Sequence, residues 1–299
     1  MHFPENLNKG DSLAIIAPAK AIEGEYIMFA KDYWEKAGYK VLLGENCLGR
    51  DNYFSGTEQE RISDLNWALN HKDVKAVLCA RGGYGCIHTV EHINWGQFKN
   101  NPKWLVGFSD VTVFHCLFST LGIASIHGTM PLNYKENTVR SLQGLESVLL
   151  GEQQNYLWRS EIYTSGKTSG NLIGGNFAVI SDIIGTRLQP DFSNKILFLE
   201  EVGEYHYTID RMMYQLKLSG ILESINGLII GSFSKTGDSA PPFGKNVRDI
   251  LSGHLKDIAI PVAFDFPVGH QNDNLPLKCG GFFNFEVNKG EAKLVEMIS

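Results

Sequence analysis

A serine, an acid and a histidine each follow an apolar, strand-like run in this chain, and together they carry the groups of a serine hydrolase. Ser109 lies in Gly107-Phe108-Ser109-Asp110, between the apolar run 104–108 and a helical pattern over 111–118. A serine at a strand-to-helix turn presents its hydroxyl as a nucleophile elbow does, and the next N–H, that of Asp110, can donate to an oxyanion. A plain helix N-cap explains the same residues. The G-x-S-x-G spacing is not met, because Val111 stands in its last position. A serine nucleophile needs a base, and the base needs an orienting acid. Glu200 ends the buried-looking run 196–199, with Glu201 beside it as the competing choice. Strand alternation puts the two on opposite faces, so only one of them serves a given site. His270 follows a strand near 261–264 and a turn over 266–269. His127, after an expected strand at 123–126, is the second candidate for the base or for substrate binding. His115, six residues beyond Ser109, is expected to face away from it.

A fourth feature is Arg81-Gly82-Gly83-Tyr84-Gly85, after the apolar run 75–80. Glycines there let backbone N–H groups approach a ligand, which suits an anion or an oxyanion. A tight strand–helix turn without a ligand and a nucleotide phosphate loop are the other readings. The spacing fits neither G-x-x-x-x-G-K-[ST] nor G-x-G-x-x-G. The five cysteines, Cys47, Cys79, Cys86, Cys116 and Cys279, form no C-x-x-C pair, so neither a disulfide framework nor a metal site is expected.

The elements that must position these residues are legible as alternating patterns. Strands are expected at 12–17, 39–43, 75–80, 104–108 and 123–126, with helices at 25–37, after the Thr57/Glu60 capping pattern, and at 111–118. Such β-α-β alternation argues for a doubly wound parallel sheet, whose ligands bind beyond the carboxyl ends of the strands. A change of pattern over 141–170, with the polar run 164–170 (TSGKTSG), reads as a linker between an N-terminal α/β domain, 1–140, and a smaller mixed α/β domain, 171–299. The second domain shows strands at 196–199 and 227–231, helices at 176–184, 208–218 and 247–255, and a hairpin around Asn288-Lys289-Gly290.

The chain has 299 residues, 20% of them charged, and a net charge of −6. No Lys/Arg block is present, so the footprint of a nucleic-acid binder is missing. Apolar runs are too short to span a bilayer, and the first residues lack the pattern of a signal peptide. The expectation is a cytoplasmic protein that binds neither nucleic acid nor membrane.

Read together, these segments resemble the LD-carboxypeptidase family of serine peptidases, which includes muramoyltetrapeptide carboxypeptidases and microcin C immunity peptidases. The resemblance runs through Gly10-Asp11-Ser12 to Ala17-Pro18, Ala80 to Gly85, Gly107 to Asp110, Gly174-Gly175-Asn176, Leu199-Glu200-Glu201, Ile209 to Met212, Gly231-Ser232-Phe233 and Val268-Gly269-His270. It implies a flavodoxin-like first domain and a triad of Ser109, Glu200 and His270. It also implies an oxyanion hole from the N–H groups of Asp110 and Gly83, with Gly82 as the alternative. Arg81 is a candidate for binding a substrate carboxylate, with a structural role as its other reading. The implied reaction is release of terminal D-alanine from murein tetrapeptides by a homodimer, with no cofactor and a small peptide as the only other partner. Glu201 departs from the family, which commonly has Asp there. Two other functions remain open from the sequence: a peptidase acting on peptidyl-nucleotide antibiotics, and a non-catalytic Rossmann-like ligand-binding protein.

Overall fold

Residues 1–297 are described by a computed structural model, and they form two units. The last two positions of the expected second domain lie outside the described residues. The first unit comprises 1–152 and 272–279; the second comprises 153–271 and the residues from 280 onward.

In the first unit the chain runs β1 (Ser12–Ile16), α1 (Gly24–Lys36), β2 (Lys40–Leu43), α2 (Glu58–Asn70), β3 (Val74–Cys79), β4 (Trp104–Gly107), α3 (Thr112–Thr120), β5 (Ser125–His127) and α4 (Val139–Leu149). The five strands pair in parallel in the order β2-β1-β3-β4-β5, the flavodoxin-like order. Their continuous apolar sequences reflect burial: Leu13, Ile15, Leu78, Trp104, Val106 and Ile126 lie in one core with Trp34 of α1. The capping box at Thr57 is present, with the side chain accepting from Glu60 N–H and the Glu60 carboxylate accepting from Thr57 N–H.

The second unit runs β6 (Asn155–Arg159), β7 (Tyr163–Thr164), β8 (Gly166–Asn176), α5 (Phe177–Ile183), β9 (Ile196–Val202), α6 (His206–Leu218), α7 (Ile221–Ser224), β10 (Gly227–Ser234), α8 (Val247–Leu255) and β11 (Val262–Ala263). The chain then returns to the first unit as β12 (Leu277–Cys279), which pairs antiparallel with β5, and ends with the expected hairpin β13 (Phe282–Asn288) and β14 (Glu291–Glu296). The second sheet has the order β6-β14-β13-β8-β9-β10-β11-β7. Its centre, β8 to β11, is parallel, and its flanks are antiparallel.

Two expectations are corrected. The stretch 141–170 is not a linker, because it carries most of α4, all of β6 and β7 and the start of β8. Gly170 is there for close approach rather than for turning: a Cβ on it would lie 2.7 Å from the Asn194 carbonyl oxygen. The second domain is also not one uninterrupted stretch, because residues 272–279 belong to the first unit.

Candidate active site

The first unit presents the serine. Strand β4 is buried throughout, Phe108 continues it with φ −149°, and Ser109 then takes φ +62° before the 3₁₀ turn Ser109–Val111 leads into α3. A left-handed serine is uncommon and costs energy, and such strain is typical of a nucleophile at a strand-to-helix elbow. In the run 102–110 Ser109 alone is not fully buried. Gly82 lies against it: a Cβ on Gly82 would be 3.0 Å from Ser109 Cβ, 3.2 Å from its Oγ and 3.2 Å from the Asp110 nitrogen. Any larger residue there would fill the space beside the Ser109 hydroxyl, and the peptide leaving Gly82 carries the Gly83 N–H.

The loop and the serine turn are tied together from beneath. Asp110 is buried and accepts from the Cys86 N–H at 2.9 Å. Burial pushes its carboxyl above the usual range, offset in part by that hydrogen bond. Arg61, 2% exposed, donates through Nη1 to the carbonyls of Pro18 and Gly85, each at 3.0 Å. Sequence reading passed over Asp110's side chain and Arg61. Neither has a local pattern, since their partners are 24 to 43 residues away.

His115 is buried and held by Gly107 and Ser125. Its Nε2 donates to the Gly107 carbonyl at 2.9 Å and its Nδ1 meets Ser125 Oγ at 2.8 Å. A carbonyl can only accept, so Nε2 carries the proton and Nδ1 accepts from the hydroxyl. Complete burial lowers its pKa to about 4 and keeps the ring neutral. His127 is fully buried in β5, with its ring centroid 5.8 Å from that of Phe108 and 6.0 Å from that of His115. Arg81 is half-buried and donates through Nη1 to the Ala21 carbonyl at 2.9 Å.

The second unit presents the acid and the histidine. Glu200 and Glu201 are both buried in β9, so burial alone does not choose between them. Their partners do. Glu200 Oε2 accepts from His270 Nδ1 at 2.8 Å, whereas Glu201 accepts from the Val202 and Ala178 N–H groups, each at 2.7 Å, and from Asn176 Nδ2 at 3.1 Å. A carboxylate on Nδ1 fixes the tautomer and leaves Nε2 as the basic nitrogen, which is the arrangement of a general base. The turn bearing His270 is clamped to β10: Ser232 N–H donates to the Val268 carbonyl and Ser234 Oγ to the His270 carbonyl. Gly269 has φ +108°, and a Cβ on it would lie 2.6 Å from Glu200 Oε2.

Glu201 supports the start of α5 and the last residue of β9 instead. Burial outweighs its three donors and raises its pKa from 4.5 to about 7. Between those values the folded protein holds a proton that the unfolded chain has released, so this group's contribution to stability falls as pH rises. Glu201→Gln removes that term. The variant is expected to gain stability relative to the native protein between pH 5 and pH 8, as read from urea midpoints; a constant difference across that range would contradict the assignment.

The candidate groups therefore lie in two places, a serine turn with adjacent backbone N–H groups in one unit and a buried glutamate hydrogen-bonded to a partly exposed imidazole in the other. Among the described residues, no cluster of His, Cys, Asp and Glu is arranged to hold a metal ion, and no helix is long and apolar enough to cross a membrane.

Comparison with known proteins matches both units. A family model for the LD-carboxypeptidase N-terminal domain matches residues 13–128, and one for the LD-carboxypeptidase C-terminal domain matches residues 169–285. The murein tetrapeptide carboxypeptidase of Pseudomonas aeruginosa is 30% identical, over 88% of this chain and 89% of its own. The microcin C7 self-immunity protein of Escherichia coli is 23% identical, over 91% of this chain and 89% of its own. Among solved structures, the muramoyltetrapeptide carboxypeptidase from Oxalobacter formigenes superposes with a TM-score of 0.89 at 28% identity, covering 96% of this chain and 99% of that one.

Proposed function

This chain belongs to the LD-carboxypeptidase family, and from that premise we propose that it releases terminal D-alanine from murein tetrapeptides by serine catalysis. The observation that carries the reading is the hydrogen bond from His270 to the buried Glu200, whose geometry leaves the imidazole Nε2 as a base. Ser109 is the nucleophile this base serves. Its Oγ attacks the carbonyl carbon of the bond to D-alanine while His270 takes the hydroxyl proton. Glu200 holds the ring and stabilises its cationic form. The N–H groups of Asp110 and Gly83 receive the oxyanion, each worth roughly 3 kcal/mol in the transition state. His270 then gives its proton to the leaving amine, D-alanine departs, and a water deprotonated by His270 cleaves the acyl-enzyme to restore Ser109. No step calls for a metal or an organic cofactor.

Neutral His115 takes no part in proton transfer, and buried His127 has no surface to offer a substrate. We place the enzyme in the cytoplasm, where cell-wall peptides are recycled, and as a homodimer, in keeping with the family. The reading is tested by incubating the native protein with a murein tetrapeptide and with a peptidyl-nucleotide. D-alanine release from the first, with the second left intact, is the expected result. Cleavage of the peptidyl-nucleotide alone, with Ser109 labelled by a serine-reactive phosphonate, would instead assign the hydrolase to antibiotic substrates.

A further inference from the structure

A carboxypeptidase must hold the free carboxylate of its substrate, and we propose that Lys20 supplies the cation, beside the Gly82-Gly83 loop. This rests on the carboxypeptidase reading above and names the group that would make it a carboxypeptidase rather than an endopeptidase. Arg61, Arg81 and Lys20 are the basic side chains that reach or flank the loop. The two guanidiniums are committed to the backbone: Arg61 to the carbonyls of Pro18 and Gly85, and Arg81 to that of Ala21. These bonds hold the segment in which Lys20 stands. The same segment is pinned on its other side, where Ala21 N–H donates to the Tyr53 carbonyl and Ser55 N–H to the Ala19 carbonyl, each at 3.0 Å. A binding group on such a support is pre-organised.

Lys20 is the cation left over. Its stem crosses Gly83, where a Cβ would lie 3.0 Å from Lys20 Cβ and 3.1 Å from the Tyr53 hydroxyl. Its Nζ sits 4.8 Å from the centroid of the Tyr53 ring, an exposed side chain, and among the described residues it makes no ion pair. An ammonium on an aromatic face is held in place while keeping its N–H groups for an anion.

The spacing fits the substrate. In a peptide, the terminal carboxylate carbon lies three bonds beyond the scissile carbonyl carbon, within about 4 Å of it. Gly82 abuts Ser109 and Gly83 abuts Lys20, and successive Cα atoms are about 3.8 Å apart. One residue along the loop therefore matches the step from the bond attacked to the charge recognised. Arg81 becomes a positioning residue that braces Ala21.

The test compares a murein tetrapeptide ending in free D-alanine with the same peptide ending in D-alanine amide, for the native protein, Lys20→Met and Lys20→Arg. The native protein should favour the free acid. Lys20→Met should lose about 10- to 100-fold in kcat/KM on the acid, mainly through KM, and little on the amide. Lys20→Arg should restore part of the preference, and a serine-reactive phosphonate should label Ser109 equally in all three. A Met variant that keeps the native preference for the acid overturns the inference. So does an equal loss on both peptides, which would mark a structural role. No release from either peptide by the native protein overturns the carboxypeptidase reading itself, and this inference with it.

Discussion

Ser109→Ala is expected to lower D-alanine release from a murein tetrapeptide by on the order of 10⁶-fold, the scale seen when the nucleophile of a serine triad is removed. The backbone supplies a second, independent readout. Ser109 holds φ +62°, a conformation that costs an L-residue roughly 1–2 kcal/mol and costs glycine almost nothing. Ser109→Gly should therefore lose activity to the same extent as Ser109→Ala and unfold at higher denaturant. A stability gain coupled to a loss of turnover is the mark of strain kept for function. If Ser109→Ala kept a tenth of the native rate, Ser109 would not be the nucleophile. If Ser109→Gly were no more stable than Ser109→Ala, the strain argument would fail while the nucleophile assignment stood.

Gly269→Ala should be nearly as damaging, although its methyl group does no chemistry. Its Cβ would sit 2.6 Å from Glu200 Oε2 and 2.7 Å from Glu200 Cβ, in a backbone conformation (φ +108°) that L-residues rarely adopt. Glu200 has no room to retreat, because it is fully buried in a strand paired on both sides. The turn must move instead, and His270 moves with it, away from the 2.8 Å hydrogen bond that fixes its tautomer. Loss of the orienting acid in a serine triad costs about 10⁴-fold in kcat, and Gly269→Ala should approach that figure. The comparison that checks it is Glu200→Gln, with circular dichroism to show that both variants remain folded. A Gly269→Ala protein with near-native kcat would mean that the pair tolerates displacement and that its geometry does not set the rate.

The parts of this machinery legible in the sequence are those encoded locally. The turn at Ser109 announces itself through an apolar strand, a small polar residue and an apolar helix in immediate succession. The parallel first sheet followed from the β-α-β alternation, and its flavodoxin-like order, observed as β2-β1-β3-β4-β5, from the family resemblance. The choice between Glu200 and Glu201 was beyond alternation alone, because β9 is covered on both faces and buries both acids. What separates the two acids in the fold is their partners, His270 for Glu200 and the start of α5 for Glu201. Residues 164–170 were misread because their glycines carry the same local signature whether they turn a chain or let two strands approach. The three residues of β12 pair with a strand about 150 positions earlier, which no window of sequence can reveal. The contact of Arg81 with the Ala21 carbonyl, 60 residues away, is equally invisible to local patterns.

The return of β12 to the first sheet bears on how this protein can be cut, fused or recombined. A gene fragment encoding only residues 1–152 would produce a sheet whose β5 margin lacks its antiparallel neighbour, the kind of bare edge that recruits strands from other molecules. Such a fragment should precipitate or self-associate rather than serve as a minimal serine-bearing module. A chimera that takes its front half from a relative would have to take residues 272–279 as well. Although the chain has two units, the first is completed from beyond the second, and the boundary useful to an engineer is not the one visible at position 152.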